Sequence, residues 1–388
     1  MNFRDWIVRG RELGASDLHV ESGGALAYRI RGTLQSTADM AAAPELTRIV
    51  RDLLGDEGWG VFCTRGSADV SLDIADTRCR INAYRTIRGV ALAVRLLAPS
   101  VRDLKSCNLH PDLHRLTEAT SGLVVISGPT GCGKSTTLAA LVEHINSTRA
   151  CNIISLESPL EYLFTNRRSL IRQREVPTHS PSFEQAITDA LRENPDVLVI
   201  AEMRTAEVMR LTLNAAETGH LVLATMHSAS CAEALARICM SFAPEIQGII
   251  RAQLADCLVG VVCQRLDFLS AHHLRVPRCE LLLSSSAAKG TIRAGQFGHL
   301  ANVIQSGGEE GMWSFDRYQR WMEQNKEWVI PVKSTAPEIK PAAEPLAAAV
   351  RRQAVVPTLT RRAGAADLES EDLQDIAELA RQLEQRIR

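Results

Sequence analysis

Residues 122–147 read GLVVISGPTGCGKSTTLAALVEHINS, and the fold follows from them. Leu123 to Ile126 form a short apolar run, which predicts a fully buried parallel strand. Past Ser127, the segment Gly128-Pro129-Thr130-Gly131-Cys132-Gly133-Lys134-Ser135 matches G-x-x-x-x-G-K-[ST] at every specified position. Leu138, Leu141, Val142 and Ile145 then recur at helical spacing. Strand, glycine loop and helix in that order separate a phosphate-binding P-loop from a chance match. Glycines let the backbone take positive φ, so successive N–H groups converge into an anion nest. The new helix adds the positive end of its dipole. Gly128 to Ser135 is therefore expected to cradle a chain of phosphates. Lys134 would reach the β- and γ-phosphates as a point charge, and the Ser135 hydroxyl would be a ligand of Mg²⁺.

A P-loop enzyme also needs one carboxylate to hold Mg²⁺ and another to activate the attacking water. Two segments supply candidates. Glu157 and Glu161 follow the apolar run 152–156, and Glu202 follows the run 197–201. A carboxylate at the C-terminal end of a parallel strand sits where open α/β sheets bind ligands. A third segment, ETGHLVLATMH, brackets one apolar strand with His220 and His227. Six extended residues separate the two rings by about 20 Å, too far to share a metal. Sensing of the γ-phosphate or coupling between domains fits them better.

Outward from the P-loop, the pattern alternates strand and helix, as a parallel sheet flanked by helices requires. Strands are expected at 123–127, 152–156, 197–201 and 221–225. Helices are expected at 111–121, 134–147, 182–194, 205–218, 231–240 and 244–257. Residues 1–98 read as a separate α+β domain, with helices at 7–13 and 44–54 and strands at 16–20, 27–31, 68–74, 77–86 and 89–97. The last two strands form a hairpin studded with Arg78, Arg80, Arg85, Arg88 and Arg95. These arginines are either a solvated strand face or a source of positive charge for a phosphate, including one on a neighbouring subunit. Residues 99–110 read as a linker. After 330, Pro331, Pro337, Pro341 and Pro345 punctuate an Ala-rich stretch, expected to be a disordered linker to 365. Leu373, Ile376, Ala380, Leu383 and Ile387 then predict an amphipathic helix over 366–388.

A chain of 388 residues accommodates two domains and a tail. The net charge of −1 provides no overall field for nucleic acid or an anionic membrane, and basic and aromatic residues do not interleave. The apolar runs are too short to span a bilayer, and MNFRDWIVRGRELG has no signal-peptide core. A cytoplasmic protein is expected, with room for a peripheral place on a membrane machine. The ten cysteines form no C-x-x-C pair, so reduced buried thiols are expected rather than a zinc site.

Several segments together carry a resemblance. GPTGCGKSTTLAAL, LESPLEY, LIRQREV, AITDALRENPDVLVIAEMR and LNAAETGHLVLATMH, with ASDLHV near the start and VIQSGGEEGM near the end, resemble the type II/type IV secretion ATPase superfamily and within it the PilT-like branch. The resemblance implies a homo-hexameric ring in which each subunit joins a PAS-like domain to a RecA-like P-loop domain, with ATP between them. It implies Gly128 to Thr136 as the Walker A loop and Glu161, beside Glu157, as the catalytic glutamate. Glu202 becomes the Walker B glutamate, holding Mg²⁺ with Ser135. His220 and His227 become the His box, and Arg80, Arg88 or Arg95 a contact in trans. It also implies an inner-membrane platform protein of a pilus or secretion machine as partner, with no direct binding of nucleic acid.

Four positions depart from the pattern. Ser158 stands where Asp usually follows the first Glu, and this E-S-P form also resembles the DotB-type ATPases of type IVB secretion and conjugation. Ala201-Glu202-Met203-Arg204-Thr205 replaces G-E-M-R-D, and Ser121 stands where a basic residue often does. Pilus retraction and DotB-like secretion or conjugal transfer both remain open at this stage. A nucleic-acid translocase, disfavoured by the near-neutral charge, and a regulatory nucleotide switch, disfavoured by the two glutamates, are the remaining classes.

Overall fold

The computed structural model describes residues 2–30, 32–97, 101–272 and 274–330. The expected linker at 331–365 and helix at 366–388 lie outside the described residues, as do position 98 of the expected first domain and positions 99–100 of the expected 99–110 linker. Among the described residues, no helix is long and apolar enough to cross a membrane.

The N-terminal part opens with α1 (Phe3–Glu12), started by a reciprocal capping box between Asn2 and Asp5. Its apolar face buries Phe3, Trp6 and Ile7. Strands β1 (Ala15–Glu21), β2 (Ala25–Ile30) and β3 (Thr33–Met40) follow, then α2 (Ala43–Arg65), then β4 (Ser67–Ile74), β5 (Thr77–Thr86) and β6 (Gly89–Leu96). They form one antiparallel sheet in the order β3-β2-β1-β6-β5-β4.

Two features differ from the sequence expectation. Helix α2 does not stop at 54. Gly55 leaves the helical region for one residue (φ 64°, ψ −177°), and the chain re-enters helix because Trp59 and Phe62, stacked at 5.3 Å, pack onto the core. Strand β3 carries TLQSTADM, whose polar residues hide it from a periodicity reading; it is an edge strand and needs no buried face along its length.

The second sheet begins after a short 3₁₀ turn (Pro111–Thr117), which takes the place of the expected helix at 111–121. It contains β7 (Gly122–Ser127), β8 (Asn152–Glu157), β9 (Leu170–Glu175), β10 (Val197–Ile200), β11 (Leu221–Met226), β12 (Leu258–Leu269) and β13 (Leu274–Leu283). The order is β13-β12-β7-β11-β10-β8-β9, parallel throughout except for the β12–β13 hairpin. Helices α3 (Lys134–Thr148), α4 (Phe183–Ala190), α5 (Ala206–Glu217), α6 (Cys231–Met240) and α7 (Gln247–Cys257) fall at or within two or three residues of their expected starts. Three short helices, α8 (Ser286–Arg293), α9 (Leu300–Ser306) and α10 (Phe315–Gln324), complete the described chain.

This arrangement places the site. β7, β11, β10 and β8 are parallel neighbours whose residues in the ladder are buried almost throughout. The loops leaving their C-terminal ends therefore emerge side by side along one edge of the sheet.

Gly260 shows how tightly the hairpin is built in. A Cβ there would lie 2.6 Å from Leu116 Cδ2 and 2.7 Å from the Leu282 carbonyl oxygen. Gly260→Ala is expected to destabilise the chain by about 1–3 kcal/mol through overpacking, read as a lower midpoint in urea with the slope unchanged.

Candidate active site

Strand β7 is wholly buried and delivers the chain to Gly128, Gly131 and Gly133, whose φ values are +148°, +78° and +91°. A Cβ on Gly128 would meet the Gln264 carbonyl oxygen at 2.4 Å, so only glycine fits. The buried side chain of Gln264, on β12, holds the loop from behind. Its Nε2 donates to Cys132 O at 2.6 Å, and its Oε1 accepts from Thr137 Oγ1 at 2.6 Å. At the front, Lys134 Nζ donates to Gly128 O at 2.9 Å and Pro129 O at 3.0 Å, which fixes the ammonium across the mouth of the loop. Thr136 Oγ1 lies 2.8 Å from Tyr162 OH, joining the first turn of α3 to the segment after β8. Burial raises the Tyr162 phenol above its ordinary value, so it stays protonated and able to donate.

The carboxylates meet this loop from the neighbouring strands. Glu202, just past β10, accepts from Arg204 Nη2 at 2.6 Å and lies 3.1 Å from His227 Nε2. The other ring nitrogen, His227 Nδ1, is 3.2 Å from Lys134 Nζ. An ammonium can only donate, so Nδ1 accepts and the ring proton sits on Nε2, facing Glu202. His227 thus bridges the P-loop lysine and the β10 carboxylate.

Glu157 ends β8 with 9% exposure, accepting from Ser155 Oγ at 2.6 Å and Gln173 Nε2 at 3.2 Å. Burial pushes its carboxyl above the usual range. The Ser155 and Gln173 hydrogen bonds and the Glu161 N–H pull it back, while the Glu161 charge adds a smaller rise. Thr130, Lys134, Ser135, Glu157, Glu161, Glu202 and His227 all line one cleft.

Other expected residues lie elsewhere in the chain. His220 stands at the opposite end of β11 from His227, with Nδ1 3.0 Å from Ala215 O. Arg80 and Arg95 face each other across the β5–β6 pair; Arg95 Nε donates to Asp17 at 3.1 Å, and Arg88 lies 3.6 Å from Glu21. None of these four lines the cleft. Among the described residues, no cluster of three or more His, Cys, Asp or Glu could hold a metal unaided. The glycine cradle, closed to any Cβ at Gly128, and the lysine fixed across its mouth fit a phosphate chain.

All ten cysteines are free. Burial raises the Cys79, Cys257 and Cys263 thiols to about 12, so they carry no thiolate reactivity at neutral pH. Sequence reasoning missed Gln173, Gln264 and Tyr162. The only available signal was a glutamine closing the apolar run LVGVVCQ, a polar group that burial obliges to find partners.

Residues 7–295 match the profile of the Type II/IV secretion system protein family, and the chain belongs to that family. Its likeness within the family is to the PilT-like ATPases. It is 36% identical to the uncharacterized protein YggR of Escherichia coli (strain K12) over 318 residues, 82% of this chain and 97% of that one. It is 31% identical to the type IV pilus retractation ATPase PilT of Pseudomonas aeruginosa over 318 residues, 81% of this chain and 92% of that one. The crystal structure of the pilus retraction motor PilT with bound ADP superposes with a TM-score of 0.75 at 30% identity, covering 84% of this chain and 98% of that one. The Legionella pneumophila ATPase DotB shares the fold, with a TM-score of 0.67 at 22% identity over 83% of this chain and 96% of that one.

The buried Glu157 makes stability depend on pH. Its folded pKa is raised, so the stability it contributes is complete below the unfolded carboxyl range and is lost as pH climbs through the folded value. Glu157→Gln removes that loss. The variant is expected to melt above the wild type, by a margin that widens as pH rises past about 4.3, the value for a free Glu. A margin that shrinks with rising pH would contradict the burial argument.

Proposed function

We propose that this chain is a motor ATPase that hydrolyses ATP in a homo-hexameric ring and does mechanical work on a pilus or secretion machine. The convergence of Lys134, Glu157, Glu161 and Glu202 on one cleft beside the glycine loop carries this reading. The assignment of the two parts follows from it: residues 1–98 as a PAS-like domain, 99–110 as a linker and 111–330 as a RecA-like domain. Two separately ordered sheets support that division.

In this reading the backbone N–H groups of Gly128 to Thr136 bind the β- and γ-phosphates of ATP. Lys134 exchanges the carbonyls of Gly128 and Pro129 for a phosphate oxygen. Ser135 and, through water, Glu202 would hold Mg²⁺, which would supply positive charge to offset that of the phosphates. Glu161, with Glu157 beside it, orients the attacking water and takes its proton. His227 registers the γ-phosphate, because it already hydrogen-bonds Lys134 and lies beside Glu202. His220, at the far end of the same strand, is assigned to coupling between domains. Arg80, Arg88 or Arg95 acts on a neighbouring subunit's phosphate, which accords with their absence from the cleft of their own chain.

Pilus retraction is the preferred task, supported by likeness to PilT along most of both chains. The ring would work in the cytoplasm, peripheral to the inner membrane, against a platform protein and with no direct contact to nucleic acid. A DotB-like secretion or conjugation role is the second reading, favoured by Ser158 in the E-S-P segment.

Lys134→Ala and Glu202→Gln are each expected to lower kcat by roughly 10²-fold or more, with the circular-dichroism spectrum unchanged. Near-wild-type turnover in either would sink the assignment. Turnover measured against protein concentration, with molar mass by light scattering, is expected to rise together with a hexamer. Full activity in a monomer would mean that the site is complete in one chain and that the ring mechanism is wrong.

A further inference from the structure

Gln173 lies on β9, the edge strand, directly opposite Ser155 of β8. It uses every polar atom of its side chain on the segment that follows β8. Its Nε2 donates to Glu157 Oε1 at 3.2 Å and to Tyr162 O at 2.7 Å, and its Oε1 accepts the Phe164 N–H at 3.0 Å. Both ends of segment 157–164, which carries Glu161, are therefore tied to one side chain that does not itself line the cleft. Two residues further on, on the same face of β9, Glu175 pairs in register with Glu157. Its carboxylate meets Arg78 Nη2 of β5, in the first sheet, at 3.2 Å. The two side chains are only 17% and 10% exposed for Arg78 and Glu175, so the pair is largely shielded from water.

We propose that β9 sets the position of the catalytic segment: Gln173 is a positioning residue for Glu157 and Glu161, and the Arg78–Glu175 ion pair ties that strand to the N-terminal sheet. A shift of the first sheet then reaches the carboxylates through three contacts: Arg78 to Glu175, along β9 to Gln173, and Gln173 to the 157–164 segment. The inference rests on the hydrolysis reading above for its effect on turnover, but not for its structural content. Losing hydrogen bonds that orient metal ligands typically costs about 10–100-fold, and a loss of that order is expected for bonds that orient these carboxylates.

The test uses the full chain with MgCl₂ and ATP, and amide hydrogen exchange read at Phe164. Gln173→Ala is expected to lower kcat about 10–100-fold with KM within about twofold of wild type, and to speed exchange at Phe164 by roughly tenfold. Gln173→Glu keeps the acceptor for the Phe164 N–H and loses both donated bonds. It should therefore lose a similar factor in kcat while Phe164 stays protected, which a mere loss of folding would not produce. Arg78→Ala and the double variant Arg78→Ala/Glu175→Gln should speed exchange at Phe164 by the same factor, since one broken pair is broken only once.

A kcat within about twofold of wild type in both Gln173 variants would overturn the positioning role. Unchanged exchange at Phe164 in Arg78→Ala would overturn the link to the first sheet. A wild-type chain that turns over no ATP would bring down the hydrolysis reading instead. The exchange results would then decide alone whether Gln173 and Arg78 hold the segment.

Discussion

The carbonyl oxygen of Gln264 lies where a side chain at Gly128 would have to be, and the rest of the site depends on that contact. It forces the turn out of β7 to be a glycine and brings β12 against the back of the loop. The same residue's side chain then bonds Cys132 O and Thr137 Oγ1, so the loop is held on its outer face as firmly as its own glycines shape it within. A loop held in this way is preorganised, and preorganised dipoles act more strongly than ones that must be turned.

Around this frame the electrostatics are unbalanced by design of the fold. One ammonium, Lys134, faces three carboxylates, Glu157, Glu161 and Glu202, across a single cleft. The imbalance is relieved locally. His227 stands between Lys134 and Glu202, Arg204 covers the other oxygen of Glu202, and Ser155 with Gln173 serves Glu157. The Lys134–His227 and Glu202–Arg204 contacts lie in the cleft, whereas the Gln173 bonds hold the 157–164 segment from outside it. The arrangement separates the groups that face the cleft from those that only hold their neighbours.

The sequence alone was enough for the strand–loop–helix of the P-loop, the four central parallel strands, the carboxylates at their ends and the family. These are written locally: glycine at positions of positive φ, apolar runs where both sheet faces are covered, acidic residues immediately after them. Only the tertiary structure decided which side chains would hold those groups. Gln264 arrives from a strand more than a hundred positions away in the chain, and Gln173 from the sheet edge, where LIRQRE alternates too weakly to announce a strand. The edge strand β3 and the continuation of α2 past Gly55 escaped for the same kind of reason, since long-range packing there overrides local preference. A hydrogen bond between residues distant in the chain leaves no period and no motif. It exists only once the sheet order β12-β7-β11-β10-β8-β9 has brought its partners together.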